Sequence, residues 1–221
     1  MKDLIEDIRK KEFQKVYLLC GEEPYLRQLY KKKLTEPVLP EGDTMNLSVY
    51  TGKNVDPKAV IDQAETMPFF ADKRLILLED TGFFKNASPE LADYIKSMPD
   101  TTCMVFVEEE VDKRSKMYKT VKNNGKIVEF SAQSEELLTR WILTRLKKEG
   151  KNITGSVMQL FLSRTGTDMG NIDRELEKLI CYALDRDVIT AEDVMAVTTE
   201  QTTNKIFEMV NAIAEHNQRK A

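Results

Sequence analysis

Side chains that perform covalent or metal chemistry are scarce in this chain of 221 residues. It holds one histidine, His216, and three cysteines, Cys20, Cys103 and Cys181, all far apart. A zinc site needs ligands at short paired spacings, and hydrolysis by serine or cysteine needs a histidine base beside the nucleophile. Neither arrangement can be drawn. Cys20 reads as a buried packing thiol, and His216 as a solvated residue on a charged helix end. Glu108-Glu109-Glu110 reads as the charged exit of a strand, without companions for acid–base work. Unpaired, scattered cysteines fit free thiols in a reducing compartment, and no apolar run approaches the roughly 20 residues of a membrane span. The expectation is a cytoplasmic, soluble protein without membrane contact, metal, cofactor or catalysis of its own.

Phosphate chemistry fails residue by residue. A phosphate-binding loop reads G-x-x-x-x-G-K-[ST], because backbone N–H groups cradle the phosphates and the lysine neutralises them. Three Gly-Lys pairs occur, at Gly52, Gly125 and Gly150, but the upstream position is Leu47, Thr120 or Arg145, and neither Ser nor Thr follows. After the first apolar run, where such a loop belongs, stand Gly21, Glu22, Glu23 and Pro24. Two carboxylates repel phosphate, and proline removes a donor, so these four residues read as a degenerate, non-functional phosphate loop. Leu75 to Leu78 followed by Glu79 and Asp80 resembles the metal-holding strand of an ATPase, but without a cradle the acids read as a water-facing strand end. Acids outnumber bases by 37 to 33, for a net charge of -4. That balance argues against a chain that coats nucleic acid by charge alone.

The elements that must position these residues follow two grammars. Up to about Phe130, short runs rich in branched residues, at 16–20, 46–50, 74–78, 103–107 and 126–130, alternate with amphipathic segments near 24–36, 56–67, 89–98 and 113–123. The runs read as buried strands, and the alternation as an α/β domain, a parallel sheet covered by helices. A leading helix over 2–12 precedes the first strand. Beyond Phe130 helical spacing takes over: Leu137, Leu138, Trp141, Ile142 and Leu146 form one stripe, and Ile172, Leu176, Leu179, Ile180 and Ala183 another. Residues 154–165 and a capped segment at Ile189 to Asp193 complete a helical bundle. A final helix from about Thr203, with Ile206, Phe207, Val210, Ile213 and Ala214, presents an apolar face in search of a partner.

One segment breaks the rule that loops are polar. Pro68 ends the helix near Met67, and Phe69 and Phe70 follow before the next strand begins. Adjacent aromatics in a loop either tuck under the sheet or face a partner, and the residues by themselves favour burial.

Four stretches together resemble the delta subunit of the bacterial DNA polymerase III clamp loader. They are Val16-Tyr17-Leu18-Leu19-Cys20-Gly21-Glu22-Glu23-Pro24-Tyr25-Leu26, then Met67-Pro68-Phe69-Phe70-Ala71-Asp72-Lys73-Arg74-Leu75-Ile76-Leu77-Leu78-Glu79-Asp80, then Gly125 to Phe130, and Gly170 to Leu179. The resemblance covers nearly the whole chain in order, and departs from the family pattern at Pro68 and Phe69. It implies an AAA+ type (P-loop NTPase-like) sheet domain over 1–131 without a working phosphate loop, an all-helical lid over 132–202, and over 203–221 the first helix of a truncated collar domain. It also implies a function: binding and opening the sliding clamp (the beta ring) for loading onto primed DNA in replication, as part of a DNA-directed DNA polymerase holoenzyme. Met67, Pro68, Phe69 and Phe70 become the clamp-binding residues. The implied partners are the clamp, the delta prime and ATPase subunits of the loader, and DNA through the complex, with ATP acting in the motor subunits.

Among the basic residues, Lys113, Arg114, Lys116 and Lys119 are candidates to face DNA in the assembled loader, although solvated helix faces explain them as well. Two other classes stay open: a doubly wound enzyme binding a nucleotide or cofactor near Gly21, and a DNA-binding adaptor.

Overall fold

The computed structural model describes residues 2–199. The final helix read from Thr203 onward, and His216, lie outside the described residues. The described chain divides into two compact units that part between Ala132 and Gln133.

The first unit strings together α1 (Lys2–Lys10), β1 (Val16–Cys20), α2 (Pro24–Thr35), β2 (Leu47–Thr51), α3 (Pro57–Glu65), β3 (Arg74–Glu79), α4 (Pro89–Ile95), β4 (Thr102–Glu108), α5 (Lys116–Asn124) and β5 (Lys126–Glu129). Local chemistry starts the helices where the sequence places them. Pro24, Pro57 and Pro89 open α2, α3 and α4, while Glu23, Asp56 and Ser115 accept hydrogen bonds from the first-turn N–H groups of α2, α3 and α5. The strands form one parallel sheet in the order β2-β3-β4-β1-β5, with β1 paired to β4 and β5. Every residue of β1 and β4 is buried. On one face Leu18, Ile76, Leu78, Met104 and Phe106 pack against Val60 and Ala64 of α3, Leu91 and Ile95 of α4, and Met117 and Val121 of α5.

The expectation that all strands are buried fails at β2. Leu47 and Val49 are exposed, because β2 is an edge strand while α2 packs over β1 and β4. Across the register Leu47 and Val49 pair with Leu75 and Leu77, so these four side chains share one face of the sheet. The helix expected from residue 113 begins at Lys116, where the Ser115 hydroxyl caps it.

Glu108, read from the sequence as part of the charged exit of a strand, is buried. Its carboxylate accepts from the Thr81 hydroxyl at 2.6 Å, the Thr81 N–H at 3.0 Å and the Gly82 N–H at 3.2 Å, tying the turn after β3 to the end of β4. Glu109 and Glu110 stay exposed.

The second unit contains α6 (Glu135–Lys148), α7 (Gly155–Thr165), α8 (Met169–Tyr182) and α9 (Ala191–Val197). Ser134, Thr154, Asp168 and Thr190 cap their N-termini, the last in a reciprocal capping box with Asp193. The core joins Leu138, Ile142 and Leu146 to Phe161, Ile172, Leu176 and Leu179, whereas Leu137, assigned to the first apolar stripe, is exposed. The unit is not all-helical: β6 (Asn152–Ile153) and β7 (Val188–Ile189) pair in parallel. Lys151 explains why. Its buried ammonium donates to the carbonyls of Ala183, Leu184 and Arg186 at 2.8, 2.9 and 2.7 Å, holding the segment after α8 beside the α6–α7 connection.

Lys151→Met keeps the stem but strips donors from three carbonyls, and should lower stability by about 2–3 kcal/mol in urea denaturation. Burial raises the Glu108 carboxyl above its ordinary 4.5, against the hydrogen bonds from Thr81 and Gly82. A carboxyl raised in the folded state contributes stability that is full below its unfolded pKa and is lost as pH rises through the folded one. Denaturation series on both sides of that ordinary value should show this decline in the wild type and not in Glu108→Gln.

Candidate partner-binding site

The connection from α3 to β3 is short of regular structure but not of hydrogen bonds. Asn46, just before β2, is 1% exposed, and its side-chain amide faces the main chain of Phe69. Oδ1 accepts from the Phe69 N–H at 2.7 Å, and Nδ2 donates to the Phe69 carbonyl at 2.9 Å. Nδ2 also donates to Asp43 Oδ2 at 2.6 Å, while Asp43 Oδ1 accepts from the N–H groups of Met45 and Asn46. These bonds, the Asn46 side chain first, hold the Asp43 carboxyl below the usual aspartate range. At the other end of the loop the buried Arg74 guanidinium donates to the carbonyls of Thr66 at 3.0 Å and Met67 at 3.3 Å.

With the carbonyls of Thr66 and Met67 and both polar groups of Phe69 held from within, the loop turns its side chains outward. Phe70 is 93% exposed, Met67 71% and Phe69 54%, with Pro68 between them half-buried. This corrects the expectation, drawn from the residues by themselves, that the rings tuck under the sheet. The Phe69 and Phe70 rings meet edge to face, centroids 4.5 Å apart. Phe70 has φ +50, a left-handed conformation that costs a residue with a side chain roughly 1 kcal/mol. Sequence reasoning found the aromatic pair but missed Asp43, Asn46 and Arg74. The signal was there in Gly42-Asp43 followed by Asn46, since Asp and Asn before a strand favour side-chain-to-backbone turns.

The turn after β1, Gly21 to Pro24, is short and closed by the chain. Only Gly21, Glu22 and Glu23 separate β1 from α2, where a phosphate cradle needs about eight residues. The Phe130 main chain lies across this turn: its N–H donates to the Cys20 carbonyl at 2.7 Å, and its carbonyl accepts from the Glu23 N–H at 3.1 Å. A Cβ on Gly21, at φ +117, would stand 2.3 Å from the Phe130 oxygen. The Glu23 carboxylate, buried, takes the N-cap of α2, and Pro24 removes the next donor. The N-terminus that would hold an anion is thus occupied by the chain itself.

The remaining candidates are spoken for locally. Glu79 pairs with Lys31 at 2.9 Å. Lys113 pairs with Glu129, Arg114 with Asp112, and Lys116 with Asp93, while Lys119 is exposed. Three of the four candidate DNA-facing residues thus have an acid beside them. Burial pushes the Cys20 thiol up to about 11 and Cys103 up to about 12, so both stay protonated packing groups, whereas Cys181 is exposed. Among the described residues no cluster of three or more His, Cys, Asp or Glu is arranged to hold a metal, and no helix is long and apolar enough to cross a membrane.

Comparison with known proteins agrees with this geometry. DNA polymerase III subunit delta of Bacillus subtilis is 28% identical over 223 residues, covering 96% of this chain and 64% of its own. The probable DNA polymerase III subunit delta of Aquifex aeolicus is 24% identical, covering 90% and 59%. The chain therefore spans less than two thirds of the length of either relative. Among solved structures, the Bacillus subtilis DNA clamp loader delta protein superposes with a TM-score of 0.71 at 25% identity, over 99% of this chain and 68% of that one. The Thermotoga maritima RuvB protein, 13% identical with a TM-score of 0.53 over 88% of this chain and 64% of its own, shares the fold alone. Residues 17–131, more than half the chain, match the family described as DNA polymerase III, delta subunit, and with the sheet order, the closed phosphate turn and these relatives in agreement, the chain belongs to that family.

Proposed function

We propose that this chain binds the sliding clamp and opens it for loading onto primed DNA, with Met67, Pro68, Phe69 and Phe70 as the wedge that enters the ring. The observation that carries this reading is the pair of exposed rings on a loop whose backbone is tied down at both ends. Tethering lets apolar surface stay in water without collapsing, and it lowers the ordering cost when a pocket receives the rings. Each buried ring supplies on the order of 2 kcal/mol before those costs.

Opening a closed ring requires more than affinity. A ligand that binds two states equally shifts nothing, so the wedge must fit an opened or relaxed edge of the clamp better than a sealed one. ATP then acts in the partner subunits, and the three-residue turn at Gly21 speaks against a nucleotide site in this chain. In this reading the chain works in the cytoplasm within a loader that also contains delta prime and ATPase subunits and reaches DNA through the assembly. Residues 1–131 are the clamp-binding domain, 132–202 the lid and 203–221 the start of the collar. Neither rival class gains an observation: the nucleotide enzyme lacks a cradle, and the adaptor's basic residues are mostly paired.

A clamp-binding assay with the wild type and the Phe69→Ala/Phe70→Ala variant tests the proposal. The variant should keep its stability within about 0.5 kcal/mol, because the rings are exposed, and lose about a hundredfold in affinity. A folded variant that binds the clamp as tightly as the wild type overturns the wedge.

A further inference from the structure

An amide side chain has one acceptor and two donors that can be spent on directed bonds, and Asn46 spends them all in one place. Its assignment is fixed by its partners. The Phe69 N–H can only donate, so the atom facing it is oxygen; the Phe69 carbonyl and the Asp43 carboxylate can only accept, so the atom facing both is nitrogen. Asn46 thereby does for Phe69 what a neighbouring strand would do, meeting both polar groups of a single residue. Asp43 sets the amide's orientation from behind, and its own second oxygen is held by the N–H groups of Met45 and Asn46. The next residue, Phe70, carries the left-handed backbone. In a free chain a residue with a side chain seldom stays there, so a released loop would leave the conformation that points the most exposed ring outward.

We propose that Asn46, oriented by Asp43, is a positioning residue for the wedge: it presets the backbone at Phe69 and Phe70 and so sets the affinity for the clamp without touching it. The inference rests on the reading of Met67 to Phe70 as the wedge. Arg74 fixes the upstream carbonyls of Thr66 and Met67, and Asn46 fixes the tip. Removing the second anchor returns the tip to many conformations, of which one fits, and the apparent affinity falls with that fraction.

The test uses the whole chain and the clamp ring, with affinities measured well below each variant's melting temperature. Asn46→Ala should weaken binding roughly tenfold, as expected for losing two neutral hydrogen bonds that preorganise the tip. In the same variant, without any clamp present, hydrogen exchange at the Phe69 amide should accelerate roughly tenfold or more while exchange in β1 and β4 is unchanged. If Asn46→Ala does not fold, Asp43→Ala keeps the amide, frees its orientation and should produce both effects more weakly.

A reciprocal exchange separates positioning from mere packing. Asn46→Asp keeps an acceptor for the Phe69 N–H but sets one carboxylate against another; adding Asp43→Asn places a donor opposite it and should recover part of the lost affinity. Faster exchange, weaker binding and partial recovery together bear the proposal out. It is overturned if Asn46→Ala binds as the wild type does while Phe69→Ala/Phe70→Ala does not, if Phe69 exchange is unaltered, or if the double exchange is no better than Asn46→Asp. If Phe69→Ala/Phe70→Ala itself binds normally, the wedge reading fails and the positioning role for binding fails with it, while the exchange result still tells whether Asn46 holds the loop.

Discussion

The main chain of Phe130 crosses the end of β1 so closely that position 21 has room for no side chain. Much of the molecule's character depends on that approach. By bonding to Cys20 and Glu23 on either side of the turn, Phe130 shortens the β1–α2 connection to three residues and closes the place where a related fold would hold phosphate. The Glu23 carboxylate at the head of α2 completes the closure, supplying from within the negative charge that a helix N-terminus favours. A parallel sheet commonly binds its ligand beyond the carboxyl ends of its strands. Here that position is filled, and the exposed apolar chemistry appears instead at the outer part of the sheet.

That outer part has its own logic. An edge strand lacks a neighbour on one side, and α2 lies over the middle of the sheet. The chain entering β2 therefore has polar groups free to engage the connection that enters β3. Asn46 uses them on Phe69, and Arg74, first residue of β3, uses its guanidinium on Thr66 and Met67. Both anchors are buried and both meet the loop only through its backbone, so they leave the identity of the outward side chains open. A rigid inner course with a replaceable outer face is what a recognition loop on a fixed scaffold requires.

Charge is handled locally throughout. Glu108 and Lys151 are buried with their bonds met by neighbouring backbone or hydroxyl groups, and Asp7 holds both the Tyr17 hydroxyl and Lys126. Exposed bases sit beside acids, as at Lys113 with Glu129 and Lys116 with Asp93. Such surface pairs contribute little stability, but they leave few uncompensated positive charges in one place.

Much of this was legible in the residues. The five strands, their alternation with helices, the change of grammar after Phe130 and the failed phosphate loop all rest on local signals: apolar runs, prolines at helix starts, and missing glycines. The aromatic pair after Pro68 was equally visible. What the order of residues could not decide was which way those rings face, because that depends on how the main chain of Phe69 is held, and Asn46 holds it from 23 residues away. Nor could it show that β2 lies at an edge, that Glu108 turns inward to Thr81, or that Lys151 draws β6 toward β7, since each depends on a partner 27 or more residues away along the chain. The sequence by itself determined the five strands of the first unit, the helices between them and the lack of a phosphate-loop pattern after β1. Only the tertiary structure decided that Asn46 and Arg74 would meet the loop's backbone from within and leave Phe69 and Phe70 facing water.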